Sequence, residues 1–234
     1  QVAAGRLVWE NRGQGLFSAA SSGLQYALTA YWRSLGLLPE QPSLPPTAPT
    51  DCIAVVSGSC SPMSAAQIQW AASHGFHTAR LDIANCLTPD RWASEVEQRV
   101  SDAVSQLSQG VSPLVYSAQG PDDPAVTGFD ATAQAAGYTR EAAARKVGET
   151  LAEIMRQILD RSIVRRIVVA GGDSSGAVAS HLGITALTVA SGLTPGAPLC
   201  KAWSNQASRD GLEIALKGGQ LGAVSFYGNV RDGC

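Results

Sequence analysis

Five short apolar runs, most of them followed by a stretch of helical character, constrain this chain more than any other feature. CIAVVSG (52–58), HTARLDI (77–83), SPLVYSA (112–118), RRIVVAGG (165–172) and ITALTVA (184–190) read as strands. After the first comes GSCSPMSAAQIQWAASHG, a loop entering a helix in which Ser64 and Gln67 fit an S-x-x-Q capping box. After the second, Thr88 and Pro89 fit the cap and first turn of a helix running to about Gln109. The third leads into a loop, QGPDDPAVTGFDATAQAAG, and then a long helix from about Thr139 to Asp160. The fourth leads into SSGAVASHLG, a short helix. Strands alternating with helices predict an α/β fold of three layers, a mostly parallel sheet with helices on both faces. Beyond Gly192, LTPGAPLCKAW and GLEIALKGG read as strands with no helix between them. A hairpin there would give the sheet an antiparallel edge near the C-terminus.

Upstream, residues 39–50 (PEQPSLPPTAPT) contain five prolines. Proline fixes φ and lacks the donor that a helix or ladder needs, so this stretch reads as an extended connector. It divides the chain into 1–38, the linker 39–50 and a domain over 51–234. Within the first part, GRLVWENRGQGLF (5–17) suggests a short strand and turn. Ser21-Ser22-Gly23 opens a helix whose Leu24, Ala27, Leu28 and Tyr31 share a face. Gln1 stands where an initiator Met would, so a fragment or processed product is expected.

Bulk properties exclude several classes. With 234 residues, 15% charged, 45% hydrophobic and a net charge of −2, the chain has no signature of long disorder. Nor has it the electrostatic footprint of a nucleic-acid binder. No apolar run approaches the ~18 residues of a membrane span, and no signal peptide is legible, so a cytoplasmic location without a membrane partner is expected. The five cysteines, Cys52, Cys60, Cys86, Cys200 and Cys234, are odd in number and form no C-x-x-C. Buried free thiols in a reducing cytosol fit better than disulfides or zinc. The edge hairpin and the N-terminal stretch leave room for a homodimer.

Ligands of such sheets bind outside the carboxyl ends of the strands. Three turns rich in glycine or serine follow strands here, at 57–61, 171–176 and 218–222. Gly172-Asp173-Ser174-Ser175-Gly176 fits G-x-S-x-G, the turn that presents a hydrolase nucleophile. It equally fits a turn whose backbone N–H groups cradle a phosphate, or a plain helix start with Asp173 as N-cap. The hydrolase reading lacks a base. His181 lies seven residues along the same helix, His74 and His77 precede the serine, and no histidine spacing suits a metal. The turn VSGSCSPMS (56–64) offers hydroxyls to a phosphate or caps to a helix, and LKGGQLGA (216–223) holds three glycines and Lys217. No G-x-x-x-x-G-K-[ST] P-loop occurs.

VVSGSCSPMSAAQIQWA (55–71), YSAQGPDDP (116–124), VVAGGDSSGAV (168–178) and LEIALKGGQLG (212–222), in that order, resemble the C-terminal nucleotide-binding domain of the four-carbon acid sugar kinases. LFSAASSGLQYAL (16–28) resembles the end of that family's N-terminal substrate domain, so the likeness covers nearly the whole chain. The resemblance implies ATP-dependent phosphorylation of threonate, erythronate or 3-oxo-tetronate at the terminal hydroxyl. It carries the ATP contacts onto Ser57, Gly58 and Ser59, onto Gly171, Gly172, Asp173 and Ser174, and onto Gly218, Gly219 and Gly222. Asp173 is then the candidate catalytic residue, organising Mg²⁺ or orienting the acceptor hydroxyl. The family's acidic D-D-x-[TS]-G-A motif is missing: Asp122-Asp123 is followed by Pro-Ala-Val. The chain therefore reads as the nucleotide half of a kinase with a remnant of the other half, inactive on sugar acids alone. Two alternatives stand beside it: a nucleotide-binding effector-like or regulatory module without catalysis, and a serine hydrolase using Ser174.

Overall fold

The computed structural model describes residues 1–39 and 44–233; residues 40–43 of the proline-rich stretch and Cys234 lie outside them. The chain divides into two compact units, Gln1–Leu44 and Pro45–Cys234.

The first unit is a pair of helices, α1 (Val2–Glu10) and α2 (Ser22–Ser34), with a single 3₁₀ turn at Arg12–Gln14. The strand expected within 5–17 is thus a helix. Tertiary contact overrides the β-propensity of Leu7-Val8-Trp9. Trp9 meets Trp32 edge to face at 5.1 Å, and the Tyr31 hydroxyl donates to Glu10 Oε1 at 3.0 Å. Gly5 lets the helices touch, since a Cβ there would lie 2.0 Å from the Ala27 carbonyl oxygen.

The second unit runs β1 (Ala54–Ser57), α3 (Pro62–Ser73), β2 (Phe76–Arg80), α4 (Ile83–Cys86), α5 (Pro89–Ser108), β3 (Ser112–Tyr116), α6 (Pro124–Thr127), α7 (Phe129–Ala135), α8 (Arg140–Arg161), β4 (Arg166–Ala170), α9 (Gly172–His181), β5 (Ile184–Thr194), β6 (Ala197–Ser204), β7 (Glu213–Lys217) and α10 (Phe226–Asp232). The strands form one sheet in the order β2-β3-β1-β4-β7-β6-β5. The first five in that order are mutually parallel, and β6 runs antiparallel to both β7 and β5. This is the expected α/β sheet with an antiparallel edge. The expected hairpin is β6–β7, but it is not the outermost pair. The fifth strand continues to Thr194, Pro195-Gly196 makes the turn, and the edge hairpin is β5–β6. β7 returns to the interior beside β4.

The apolar runs are continuous because the parallel strands are buried on both faces. Ala54, Val56, Ile167, Val169 and Ile214 point to one core, against α5, α8 and α9. Ile53, Val55, Val168, Ala170 and Ala215 point to the other, against α3 and α10. Side chains alternate across a strand, so one short run feeds two cores. The loop expected over 119–137 contains two short helices, α6 and α7. Asp123 starts the first of them: its carboxylate accepts from Ala125 N and Gln119 N and pairs with Arg80. Thr88 and Pro89 start α5 as read, whereas α3 is capped by Ser61, whose Oγ accepts from Ser64 N at 3.1 Å. Ser64 and Gln67 are therefore not a capping box. Both point at the 218–223 turn instead.

The last part of the proline-rich stretch is packed onto the second unit. The Thr50 N–H donates to Arg231 O, and Thr47 Oγ1 bonds Ser191 Oγ. Arg166, nearly fully buried, donates to Ala48 O at 2.7 Å, to Val230 O at 2.9 Å and to the Glu213 carboxylate at 2.8 Å. Replacing it orphans two carbonyls and a carboxylate. Arg166→Met should lower unfolding free energy by about 2–4 kcal/mol, read from urea denaturation followed by circular dichroism.

Candidate functional site

The carboxyl ends of β1, β3, β4 and β7 meet at one edge of the sheet. There the ladder continues past the strands. Gly58 N donates to Ala170 O, Ser117 N to Ser57 O and Gly171 N to Lys217 O, each at 2.9 Å. These bonds hold the three turns singled out from the sequence against one another.

Between β4 and α9 the chain turns on one residue. Gly171 has φ +114°, a conformation that L side chains rarely adopt, and it stands as N-cap. Asp173 is therefore not the cap. It lies in the first turn, exposed, because the helix has already begun at Gly172. The first intrahelical bond is Ser175 N to Gly171 O, so the N–H groups of Gly172, Asp173 and Ser174 precede it. They form the positive end of the α9 dipole.

The glycines here serve two different ends. At Gly58 a Cβ would lie 2.0 Å from Ser174 Oγ and 3.2 Å from Leu151 Cδ1, so the turns are in contact. At Gly219 a Cβ would lie 2.3 Å from Ser59 Oγ, which locks the 218–223 turn onto the 58–61 turn. Gly172 faces open space, with nothing within 4 Å. Gly218 packs on Leu221, and Gly222, at φ +84°, closes the far end of its turn over Phe226. Ser61 Oγ and Ser64 Oγ both donate to Gly219 O, at 2.6 and 3.1 Å. Gln67 Nε2 donates to Leu221 O and Ala223 O. Ser57 is fully buried, and its hydroxyl has no hydrogen-bond partner among the described residues.

A cavity of about 180 Å³ opens beside this edge, bounded by Gly58, Ala118, Phe129, Val147, Asp173 and Ser174 among others. A wider groove of about 700 Å³ between α8 and α9 shares Ala144, Gly148 and Asp173 with it. Apolar walls with a few polar groups at one end suit a flat heterocycle carrying an anionic tail. Sequence reasoning missed this part of the site. The available signal was Gly148 in the middle of a long helix, where glycine costs about 1 kcal/mol against alanine.

Among the described residues Ser174 has no histidine within reach to act as general base. His181, at the other end of α9, pairs with Glu153 at 2.7 Å. His77 pairs with Asp102 at 2.7 Å, and His74 stacks on Trp70 at 3.9 Å. The Ser174 hydroxyl itself is buried against Gly58. The geometry gives no support to nucleophilic chemistry at G-x-S-x-G. Among the described residues no group of three or more His, Cys, Asp or Glu could hold a metal. Cys86 and Cys200 are buried free thiols as expected; Cys60, in the first turn, is exposed.

The sequence model of the nucleotide-binding C-terminal domain family matches residues 54–227. The chain belongs to that family. A 3-oxo-isoapionate kinase of Paraburkholderia graminis is 62% identical over 98% of this chain and 49% of its own length. A 3-oxo-tetronate kinase of Burkholderia multivorans is 35% identical over 74% of this chain and 36% of its own length. The nucleotide-binding domain and the flanking residues thus span about half, or less, of these curated relatives. Among solved structures, Haemophilus influenzae protein HI1011 shares the fold, with a TM-score of 0.67 at 24% identity over 90% of this chain and 46% of its own. A Bordetella bronchiseptica domain of unknown function, crystallised with citrate as a domain-swapped dimer, gives 0.58 at 20% over 91% and 45%. No helix among the described residues is long and apolar enough to cross a membrane.

The two kinds of glycine should separate on substitution. Gly58→Ala drives a methyl into Ser174 and should cost about 1–3 kcal/mol. Gly172→Ala enters open space and should change stability by about 0.5 kcal/mol or less. Thermal denaturation of both variants beside the parent checks this.

Proposed function

We propose that this nucleotide-binding domain holds ATP at the edge formed by the three turns, as the nucleotide half of a sugar-acid kinase. The observation that carries the reading is the open face at Gly172. Three first-turn N–H groups precede any intrahelical bond there, in a helix anchored to the core by Ser174 and Val178. That is the arrangement that binds phosphate. The phosphates would lie against Gly171, Gly172 and Ser174, with Ser57, Gly58 and Ser59 on one flank and Gly218, Gly219 and Gly222 on the other. The base and ribose would take the cavity beside Phe129 and the groove above Gly148.

Phosphoryl transfer is mainly positioning and charge stabilisation. Mg²⁺ bound with ATP would neutralise phosphate charge, and Asp173, exposed beside Gly172, is the carboxylate placed to hold it or to orient the acceptor hydroxyl. The acceptor in this reading is a four-carbon sugar acid or its branched counterpart. The relative at 62% identity favours 3-oxo-isoapionate over the straight-chain 3-oxo-tetronate named for relatives near 30%. Acceptor recognition would fall to the remainder of a full-length kinase, since the relatives are about twice as long. The setting would be the cytoplasm, where ATP and Mg²⁺ are plentiful.

Calorimetric titration with ATP and Mg²⁺ tests the reading. The parent should bind with a Kd between micromolar and millimolar. Gly172→Val, which fills the open face, should weaken binding at least tenfold while leaving the melting temperature within a few degrees. Absence of binding by the full-length protein, or equal binding by the variant, would remove the proposal.

A further inference from the structure

One buried charge is left unanswered by the site as described. Lys217 ends β7, is 1% exposed, and has no carboxylate within salt-bridge distance among the described residues. Its ammonium makes two long contacts, to Gly219 O at 3.4 Å and Ser64 Oγ at 3.5 Å, and stands 5.9 Å from the centre of the Phe226 ring. Burying an ammonium so poorly partnered is costly, and proteins rarely leave one so without a use. Burial lowers its pKa to about 8, a penalty that an anion alongside would remove.

The position of Lys217 ties it to the cradle. Its carbonyl accepts from Gly171 N, the residue on which the chain turns into α9. The Gly219 carbonyl that its ammonium touches also takes both Ser61 and Ser64, and the Gly219 Cα abuts Ser59 Oγ. Five further polar atoms buried in the second unit lack a hydrogen-bond partner among the described residues: Ser57 Oγ, Tyr227 OH, Gln67 Oε1 and the Nε atoms of Arg99 and Arg209. Ser57 ends β1, Tyr227 belongs to α10 and Gln67 to α3, the two helices on that face of the sheet. A buried cation held by two long contacts, under a turn built from glycines, is placed to answer an anion.

We propose that Lys217 is the cation of the phosphate site, held beneath the Gly219 turn until the phosphates of a nucleotide draw its ammonium out to them. This rests on the reading that the cradle binds ATP. The two weak contacts and the four-carbon stem allow the ammonium to move without disturbing β7. Arg140 borders the cavity on the Phe129 side, and beneath the Gly219 turn Lys217 offers the compact point charge that suits a phosphate.

The test is a ladder of ATP, ADP and AMP, each with Mg²⁺, titrated into the full-length protein and its Lys217→Met variant, with melting temperatures of both in the absence of nucleotide. The parent should bind ATP at least tenfold more tightly than AMP. In the variant that ratio should fall below threefold, and its melting temperature should equal or exceed the parent's, because a buried unpaired charge has been removed. Lys217→Gln provides the same comparison if the methionine variant does not fold. An unchanged ratio, or uniform weakening of all three nucleotides with a drop in melting temperature, would show that Lys217 only braces the Gly219 turn and would overturn the proposal. If the parent binds none of the three, the ATP reading itself falls, and this inference with it.

Discussion

Three backbone hydrogen bonds made just beyond the strands organise everything at the working edge of this molecule. Gly58 to Ala170, Ser117 to Ser57 and Gly171 to Lys217 extend the parallel ladder by one rung each. Parallel strands buried on both faces cannot expose polar backbone along their length. Their unsatisfied groups therefore collect at the ends, and here one end is gathered into a single surface. Because the rungs are shared between neighbouring strands, no turn can shift without straining the next. The rigidity that anion binding needs comes from the sheet itself, and the serines and glycines only shape what the sheet presents.

The strands and the three turns were readable because each depends on local chemistry. VVS, LVY and IVVA are runs that suit a strand covered on both sides, and glycine after such a run marks where a chain must turn. Helix starts were readable where proline follows threonine, as at Thr88-Pro89. What failed to show depends on contacts distant in sequence. The α1 helix exists through Trp9 on Trp32 and Gly5 on Ala27, and a window over 5–17 sees neither. The insertion of β7 between β4 and β6 is a matter of pairing, on which a strand's own residues are silent.

The site was legible in outline and less so in its parts. Gly171 and Asp173 are two residues apart, and both are plausible caps by composition. The positive φ decides for glycine, and it is visible only in three dimensions. Ser64 and Gln67 have the spacing of a capping box, yet both reach across to the 218–223 turn. Lys217 ends a run read as a strand, and its burial beside Phe226 of α10 depends on a contact that its neighbours in sequence do not reveal. The apolar walls of the cavity come from α6, α7, α8 and the residues just past β3, segments with no shared motif.

The stretch Thr47–Thr50 also bears on how such a domain can be recombined. Its proline content suggests a tether, yet Thr47, Ala48 and Thr50 are bonded to Ser191, Arg166 and Arg231, and Gly233 passes so near that a Cβ would lie 2.3 Å from Thr47 O. These residues belong to the folded body as a seam strapping its first and last segments together. Grafting this domain behind a different partner, by evolution or by hand, would have to splice ahead of Thr47. A junction at Asp51, where composition suggests one, would strip the buried Arg166 guanidinium of its Ala48 carbonyl.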